Sequence, residues 1–261
     1  MHAMLNIAIR AARKAGDIIA RYCDQVDKLK IHTKSENDFV TEVDKRAEEA
    51  IVETLLKAYP DHGILAEESG TKQGNEYEWI IDPLDGTTNF LRGIPQYAVS
   101  IACRYKNKLE HAVVYDPIKQ ELFTASRGEG AQLNNKRIRV SQLSTINGAL
   151  FGTGIPFRDM SILDSYLDMM RELIPGSAGI RRAGSAALDL AYLAAGRFDG
   201  FWEYQLNPWD MAAGILLVEE AGGLVGDFNG GFDYFDSGNI IAANPKLFKQ
   251  MLKIISAKKM T

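Results

Sequence analysis

The sequence predicts a single domain of mixed α and β structure, of the α+β or α/β class, with two packed halves. Residues 1–145 show two helical patterns followed by short strands, and residues 146–261 alternate strands with helices. The chain has 261 residues, 46% apolar and 25% charged, the ordinary mixture of a globular domain with a sizeable core.

The first half begins with apolar residues at helical spacing over residues 4–23. A second helix is expected to start near Thr41 and to stop before Pro60. Apolar runs predict strands at 63–66 and 79–81, with a polar loop over 69–78 between them. Further β segments with short polar turns predict a largely antiparallel sheet: 97–105, 109–115, 121–125 and a hairpin at 132–139.

The second half carries clear helix boundary signals. Gly196 is placed to end one helix, and Asn207 followed by Pro208 is placed to begin the next. The predicted strands are 149–153, 179–182, 198–204, 224–227 and 240–243. The predicted helices are 162–174, 185–195, 208–221 and 245–256.

Charge and cysteine content exclude several classes of protein. A net charge of −4 gives no general reason to bind nucleic acid or an anionic membrane. Cys23 and Cys103 fit neither a disulfide framework nor a zinc spacing. Charged residues interrupt the N-terminal apolar pattern, so no signal peptide is expected, and no apolar stretch is long enough to span a membrane. We therefore expect a cytoplasmic protein.

The stretch I-I-D-P-L-D-G-T-T-N-F at residues 80–90 points to chemistry. Asp82 ends a strand, and Asp85 follows it just before Gly86-Thr87-Thr88, where a helix start would suit a phosphate. Two carboxylates beside a phosphate require divalent cations, and Mg²⁺ prefers such oxygen ligands. The alternative is an ordinary loop in which both aspartates cap a turn.

Two further acids could reach the same place. Glu67 follows the preceding β-run, so its strand could bring a carboxylate to the same sheet edge. Asp210 lies in the first turn of a helix, where the alternative role is to complement the helix dipole.

Taken together, four blocks resemble the inositol monophosphatase family, closest to its bacterial SuhB-type branch. The blocks are D-F-V-T-E-V-D at 38–44, E-E-S-G at 67–70, D-P-L-D-G-T-T-N-F at 82–90 and P-W-D-M-A-A-G at 208–214. Their order and spacing match over nearly the whole chain. The resemblance implies a layered α-β-α-β-α sandwich.

The resemblance also implies two or three Mg²⁺ ions. The first would bind Glu67, Asp82 and the Leu84 carbonyl, and the second would bind Asp82, Asp85 and Asp210. A third, weaker ion would lie near Glu67 when substrate is bound. Such bridged ions can stabilise both the attacking and the leaving oxygen of an in-line displacement.

Further residues receive roles from the same resemblance. A metal-activated water would be positioned by Glu67 and the Thr87 hydroxyl, with Asp44 orienting Thr87. The backbone N–H groups of Gly86 and Thr87 would hold phosphate oxygens. Residues expected to contact the substrate are Asp85, Gly86, Thr87, Gly184, Ser185, Ala186, Glu203 and Asp210. Lys34 resembles a lysine before the first block, although the spacing is one residue shorter than in the animal enzymes.

The implied activity is Mg²⁺-dependent, Li⁺-inhibited hydrolysis of myo-inositol 1-phosphate. Fructose 1,6-bisphosphate or 3′-phosphoadenosine 5′-phosphate stays open as the substrate, because metal ligands recognise only the shared phosphate. A homodimer is expected. The bacterial branch is also associated with transcription antitermination and ribosomal RNA maturation through RNA polymerase and Nus factors. The chain could therefore act mainly through protein partners, without binding nucleic acid directly.

Overall fold

The structure, a computed structural model, describes residues 2–23, 31–35, 38–157 and 159–258. Its helices are α1 (Ala3–Tyr22), α2 (Glu42–Ala58), α3 (Thr87–Leu91), α4 (Leu163–Leu173), α5 (Ala186–Ala194), α6 (Pro208–Glu220), α7 (Tyr234–Ser237) and α8 (Pro245–Ile255). In its first half the strands are β1 (Ile31–Ser35), β2 (Asp38–Thr41), β3 (Gly63–Ala66), β4 (Gly70–Lys72), β5 (Tyr77–Asp85), β6 (Ala98–Tyr105), β7 (Lys108–Asp116), β8 (Glu121–Ser126), β9 (Gly130–Leu133) and β10 (Lys136–Arg137). The later strands are β11 (Leu150–Thr153), β12 (Gly179–Arg181), β13 (Gly200–Glu203), β14 (Leu224–Gly226) and β15 (Ile240–Ala243).

Two large sheets form the framework. The first has the strand order β10-β9-β8-β7-β6-β5-β3-β4, and its neighbouring strands are antiparallel except for the parallel pair β3 and β5. The second has the order β12-β11-β13-β15-β14 and mixes parallel with antiparallel pairs. The antiparallel character predicted for the first half is therefore confirmed.

Helices lie between and outside these sheets. Helices α1 and α2 pack on one face of the first sheet, whereas α5 and α6 fill the space between the two sheets. Helices α4 and α8 cover the outer face of the second sheet. The order of layers is α-β-α-β-α, as the family resemblance implies. Helices α5 and α6 contact both sheets, so the two halves share a layer of the fold. The division of the domain at residue 145 stays a prediction.

Local sequence signals explain most of the element boundaries. The side chain of Thr41 caps α2, Ser185 caps α5, and Asn207 with Asp210 forms a capping box at the start of α6. Gly196 follows α5 with a φ of 71°, the left-handed conformation expected of a residue that ends a helix. The predicted hairpin turn at Asn134 and Asn135 also has positive φ angles.

Some predicted elements were wrong. The loop predicted over residues 69–78 contains β4, a polar edge strand paired only with β3, and the first residues of β5. The strand predicted at 198–204 is shorter, at Gly200–Glu203. The hairpin of β1 and β2 and the short helix α7 have no counterpart among the predictions. In the described part of the chain, no helix combines the length and hydropathy needed to cross a bilayer.

Candidate active site

A cavity of about 490 Å³ opens where the end of β5 meets the first turns of α5 and α6. This volume lies within the range of about 300 to 1,000 Å³ that small-molecule sites occupy. Its described lining is strongly acidic, because seven acidic residues and one arginine contribute to it. They are Glu67, Asp82, Asp85, Asp159, Asp189, Glu203, Asp210 and Arg182.

Three aspartates form the centre of the cavity. One carboxylate oxygen from each of Asp82, Asp85 and Asp210 lies within 4.8 Å of the others. Residues three apart on a regular strand would point to opposite faces of the sheet. The pairing of β5 with β6 shifts register between Asp82 and Asp85, around Pro83, and this irregularity lets both carboxylates face the same cavity. Pro83 has no backbone N–H to donate to the ladder, which agrees with the interruption of the pairing at this point.

Backbone and hydroxyl groups hold each aspartate in place. The Leu84 N–H donates to Asp82 Oδ1 at 2.9 Å, and the Asn207 N–H donates to Asp210 Oδ2 at 2.7 Å. Asp85 Oδ2 accepts hydrogen bonds from the Ser185 hydroxyl at 2.6 Å and from the Ala187 N–H at 2.8 Å. The arrangement is therefore fixed by rigid elements before any ligand binds.

Burial and mutual repulsion make these carboxylates hard to ionise together. Burial raises the pKa of Asp82 well above its ordinary value, and Glu67, Asp85 and Asp210 raise it further. Burial raises the pKa of Asp85 to about 6, although its hydrogen bonds oppose the change. The pKa of Asp210 is also well above its ordinary value, through burial and then the charge of Asp85.

The chemistry of this donor set fits hard divalent cations. The three aspartates offer carboxylate oxygens, and Glu67 and Leu84 line the same cavity. Mg²⁺ and Ca²⁺ favour oxygen ligands. A cation between the aspartates would remove the repulsion that raises their pKa values. The predicted ligands Glu67, Asp82, Leu84, Asp85 and Asp210 all lie around one cavity.

The Gly86–Thr87 turn borders the aspartates. Gly86 has a φ of 97°, and a Cβ there would lie 2.8 Å from the Gln96 carbonyl oxygen, so a side chain is excluded. The Thr87 hydroxyl lies 2.9 Å from Asp44 Oδ1. Asp44 is 1% exposed and also binds the N–H and hydroxyl groups of Thr41. The structure thus brings Asp44 to Thr87, as expected, although Asp44 itself does not line the cavity.

Other residues of the cavity lining are suited to a polar ligand. Gly184, Ser185, Ala186 and Glu203 all line the cavity, and their contact with a substrate stays a prediction. Burial raises the pKa of Glu203 to about 8, against the opposing effect of Arg182. The Glu203 carboxylate packs on Gly154, where an added Cβ would lie 1.8 Å from Oε1. The side chain of Lys34 lies outside the described part of the chain.

Sequence reasoning missed two buried acids near this site. Asp189 on α5 is 1% exposed, lines the cavity, and has one oxygen without a hydrogen-bond partner among the described residues. Glu48 on α2 is 3% exposed and accepts hydrogen bonds from the N–H groups of Glu68 and Ser69, both at 2.8 Å. The signal for Glu48 was its spacing, because it follows Asp44 by one helical turn on the buried face.

Comparison with known proteins agrees with this fold and with the family that the four sequence blocks resemble. A sequence profile of the inositol monophosphatase family matches residues 1–259, so the chain belongs to that family. It is 58% identical over 261 residues to the Nus factor SuhB of Pseudomonas aeruginosa, covering 98% of this chain and 96% of the relative.

Solved structures show the same relationship. The extragenic suppressor protein suhB from Bartonella henselae superposes with a TM-score of 0.95 at 46% identity, covering 97% of this chain and 98% of the other. The inositol monophosphatase from Anabaena superposes with a TM-score of 0.86 at 36% identity, covering 98% of this chain and 96% of the other. The chain thus has the inositol monophosphatase fold.

Proposed function

We propose that this protein is a Mg²⁺-dependent, Li⁺-inhibited phosphomonoester hydrolase that releases phosphate from myo-inositol 1-phosphate. Membership of a phosphatase family supports the reaction class. The observation that carries the proposal is the convergence of Asp82, Asp85 and Asp210 beside the Gly86–Thr87 turn.

The proposed metal ligands are Glu67, Asp82, Asp85, Asp210 and the Leu84 carbonyl oxygen. Bound Mg²⁺ would neutralise phosphate charge and lower the pKa of a coordinated water, which is the chemistry that phosphate ester hydrolysis requires. We propose two or three ions for each site, because the acidic lining can balance several positive charges.

The remaining residues orient the reactants. The Thr87 hydroxyl can donate a hydrogen bond to Asp44 Oδ1 at 2.9 Å or to the Leu84 carbonyl at 3.0 Å, and in either case an oxygen lone pair would be available to accept a hydrogen bond from the attacking water. Glu67 would accept the other proton of that water. The N–H groups of Gly86 and Thr87 would hold the phosphate oxygens, and bulk water would protonate the departing alkoxide.

The proposed polyol end of the site is formed by Glu203 with Gly184, Ser185 and Ala186. Burial raises the pKa values of Asp189 and Glu203, so their carboxyl groups are suited to hydrogen bonds with neutral hydroxyl groups. Among the described lining residues Arg182 is the one basic side chain, so a second phosphate would find a single positive partner there. This lining favours a monophosphate of a neutral polyol over fructose 1,6-bisphosphate or 3′-phosphoadenosine 5′-phosphate.

The test is phosphate release from D-myo-inositol 1-phosphate with Mg²⁺, with EDTA, and with Mg²⁺ plus millimolar Li⁺. The two bisphosphates are assayed in parallel, and Asp85→Asn provides the inactive control. We expect Mg²⁺-dependent, Li⁺-inhibited turnover that favours the inositol ester. Preference for a bisphosphate would overturn the substrate, and absence of turnover with every ester would overturn the hydrolase.

A second candidate function is supported by the relatives. The Pseudomonas aeruginosa protein, 58% identical, carries the name Nus factor SuhB. We therefore propose that this chain also contacts RNA polymerase or Nus factors in transcription antitermination and ribosomal RNA maturation. Contact with them requires a cytoplasmic location, which stays a prediction, and the negative net charge favours protein partners over RNA.

Affinity purification of the tagged chain from its host would test this role. We expect RNA polymerase or a Nus factor at near-stoichiometric level, retained after nuclease treatment. Their absence, with the phosphatase active in the same preparation, would remove the second function and keep the first. Light scattering on the purified protein would test the predicted homodimer.

A further inference from the structure

Helix α2 carries two buried carboxylates on one face, and each contacts a different part of the candidate active site. Asp44 and Glu48 are one helical turn apart and are 1% and 3% exposed. Residues four apart lie on the same face of a helix, separated by about 6 Å along its axis. Both carboxylates therefore lie on the buried face of α2. Asp44 binds the Thr87 hydroxyl, whereas Glu48 binds the turn that contains Glu67.

The turn of residues 67–69, which joins β3 to β4, is held by three successive backbone N–H groups. The Glu67 N–H donates to the Ile81 carbonyl on β5 at 3.2 Å. The next two N–H groups, those of Glu68 and Ser69, donate to the two carboxylate oxygens of Glu48, each at 2.8 Å. Hydrogen bonds to a charged acceptor are stronger than those between neutral groups, so Glu48 is a main anchor of this turn.

From this geometry we infer that Glu48 is a positioning residue: it fixes the backbone that presents Glu67 to the cations, while Asp44 on the same helix face fixes Thr87. The inference rests on the proposed metal site and extends it. Helix α2 thereby sets the distance between a metal ligand and the hydroxyl that orients the nucleophile. Glu48 is not among the described residues that line the cavity, so it would act on a ligand only through the turn that it holds.

The decisive experiment measures cation binding directly, with Mn²⁺ as a paramagnetic probe, on the purified full chain. Free Mn²⁺ is followed by electron paramagnetic resonance during titration of wild type, Glu48→Gln, Glu48→Asp and Glu49→Gln. Glutamine keeps the shape but brings an NH₂ group against one backbone N–H. Aspartate keeps the charge but is one methylene too short to reach both donors. Glu49 is the exposed neighbour on the same helix and is the matched control.

We expect both Glu48 variants to raise the Mn²⁺ dissociation constant by about tenfold or more, as loss of a supporting residue behind a metal ligand usually does. Glu49→Gln should bind as wild type does. Amide hydrogen exchange at Glu68 and Ser69 should be faster in both Glu48 variants. If Glu48→Asp binds Mn²⁺ like wild type while Glu48→Gln does not, long-range charge rather than positioning is responsible, and the inference is wrong.

Other outcomes separate this inference from the proposed function. Wild-type Mn²⁺ affinity in both Glu48 variants, with only a lower melting temperature, would show that Glu48 is merely structural. Wild-type protein that binds Mn²⁺ but hydrolyses no ester would overturn the hydrolase and leave the Glu48 result valid. Wild-type protein that binds no Mn²⁺ would overturn both.

Discussion

Replacing Glu203 with glutamine should stabilise the ligand-free protein at neutral and alkaline pH. Burial and the charge of Asp85 raise the pKa of Glu203 to about 8, despite the opposing effect of Arg182, from an ordinary value of 4.5. Between these two values the folded protein holds a proton that the unfolded chain has lost. The wild-type free energy of unfolding therefore falls as pH rises from about 4.5 to 8.

The size of the effect follows from the same two values. At about 1.36 kcal/mol for each pH unit, the loss at pH 7 is at most about 3 kcal/mol, and it reaches at most about 5 kcal/mol above pH 8. Glu203 is partly exposed to the cavity, so solvent screening reduces these figures, and we expect about 1 to 3 kcal/mol at pH 7. Glutamine is neutral and of the same shape, so the variant lacks this loss.

The assay is urea denaturation in EDTA between pH 4.5 and 9, for wild type, Glu203→Gln and the exposed control Glu129→Gln. The difference between Glu203→Gln and wild type should be near zero at pH 4.5 and should grow up to about pH 8. A constant difference across this range, or a variant less stable than wild type at pH 8.5, would refute the argument. Glu129→Gln should not reproduce the pH-dependent gain.

Four further variants test other parts of the site. Asp85→Asn and Asp210→Asn should each abolish nearly all turnover while the circular dichroism spectrum stays that of wild type; wild-type-like activity in either would contradict the metal site. Gly154→Ala should displace the Glu203 carboxyl group and raise the KM for inositol 1-phosphate by up to about tenfold, the upper end of what the loss of one hydrogen bond costs, with less effect on p-nitrophenyl phosphate. Burial keeps the pKa of Asp189 well above its ordinary value, so the carboxyl group is neutral and asparagine is a close replacement for it. Asp189→Asn should therefore change the free energy of unfolding by less than about 1 kcal/mol, and a much larger loss would indicate an ionised carboxylate.

Elements with strong local signals were the ones that sequence could predict. The end of α5 was located from Gly196 and the start of α6 from Asn207 with Pro208, because such boundary signals act through neighbouring residues. Strand β4 was missed because it is short, polar and held only by pairing with β3, which is a long-range contact. Its burial pattern is mostly exposed, so no alternation of apolar residues marks it.

The site residues divide in the same way. The four acids expected to bind metal, Glu67, Asp82, Asp85 and Asp210, were assigned from recognisable blocks, and the structure gathers them around one cavity. Glu48 and Asp189 lie within ordinary helical patterns, where an isolated acid is expected to face solvent. Both acids are buried because of the face that each helix turns toward the sheets. The sequence around them mixes polar and apolar residues, so it does not determine which face of the helix is buried.

The acidic cluster explains why stability and cation affinity oppose each other in this fold. Asp82, Asp85 and Asp210 would separate if each were free to rotate, because like charges repel. Each is instead bound to a backbone N–H of β5, α5 or the segment that enters α6, so folding itself supplies the free energy that gathers them. A cation would then meet ligands that need no rearrangement, and the repulsion that it relieves would raise its affinity. The raised pKa values of the metal-free site are the measurable form of that repulsion.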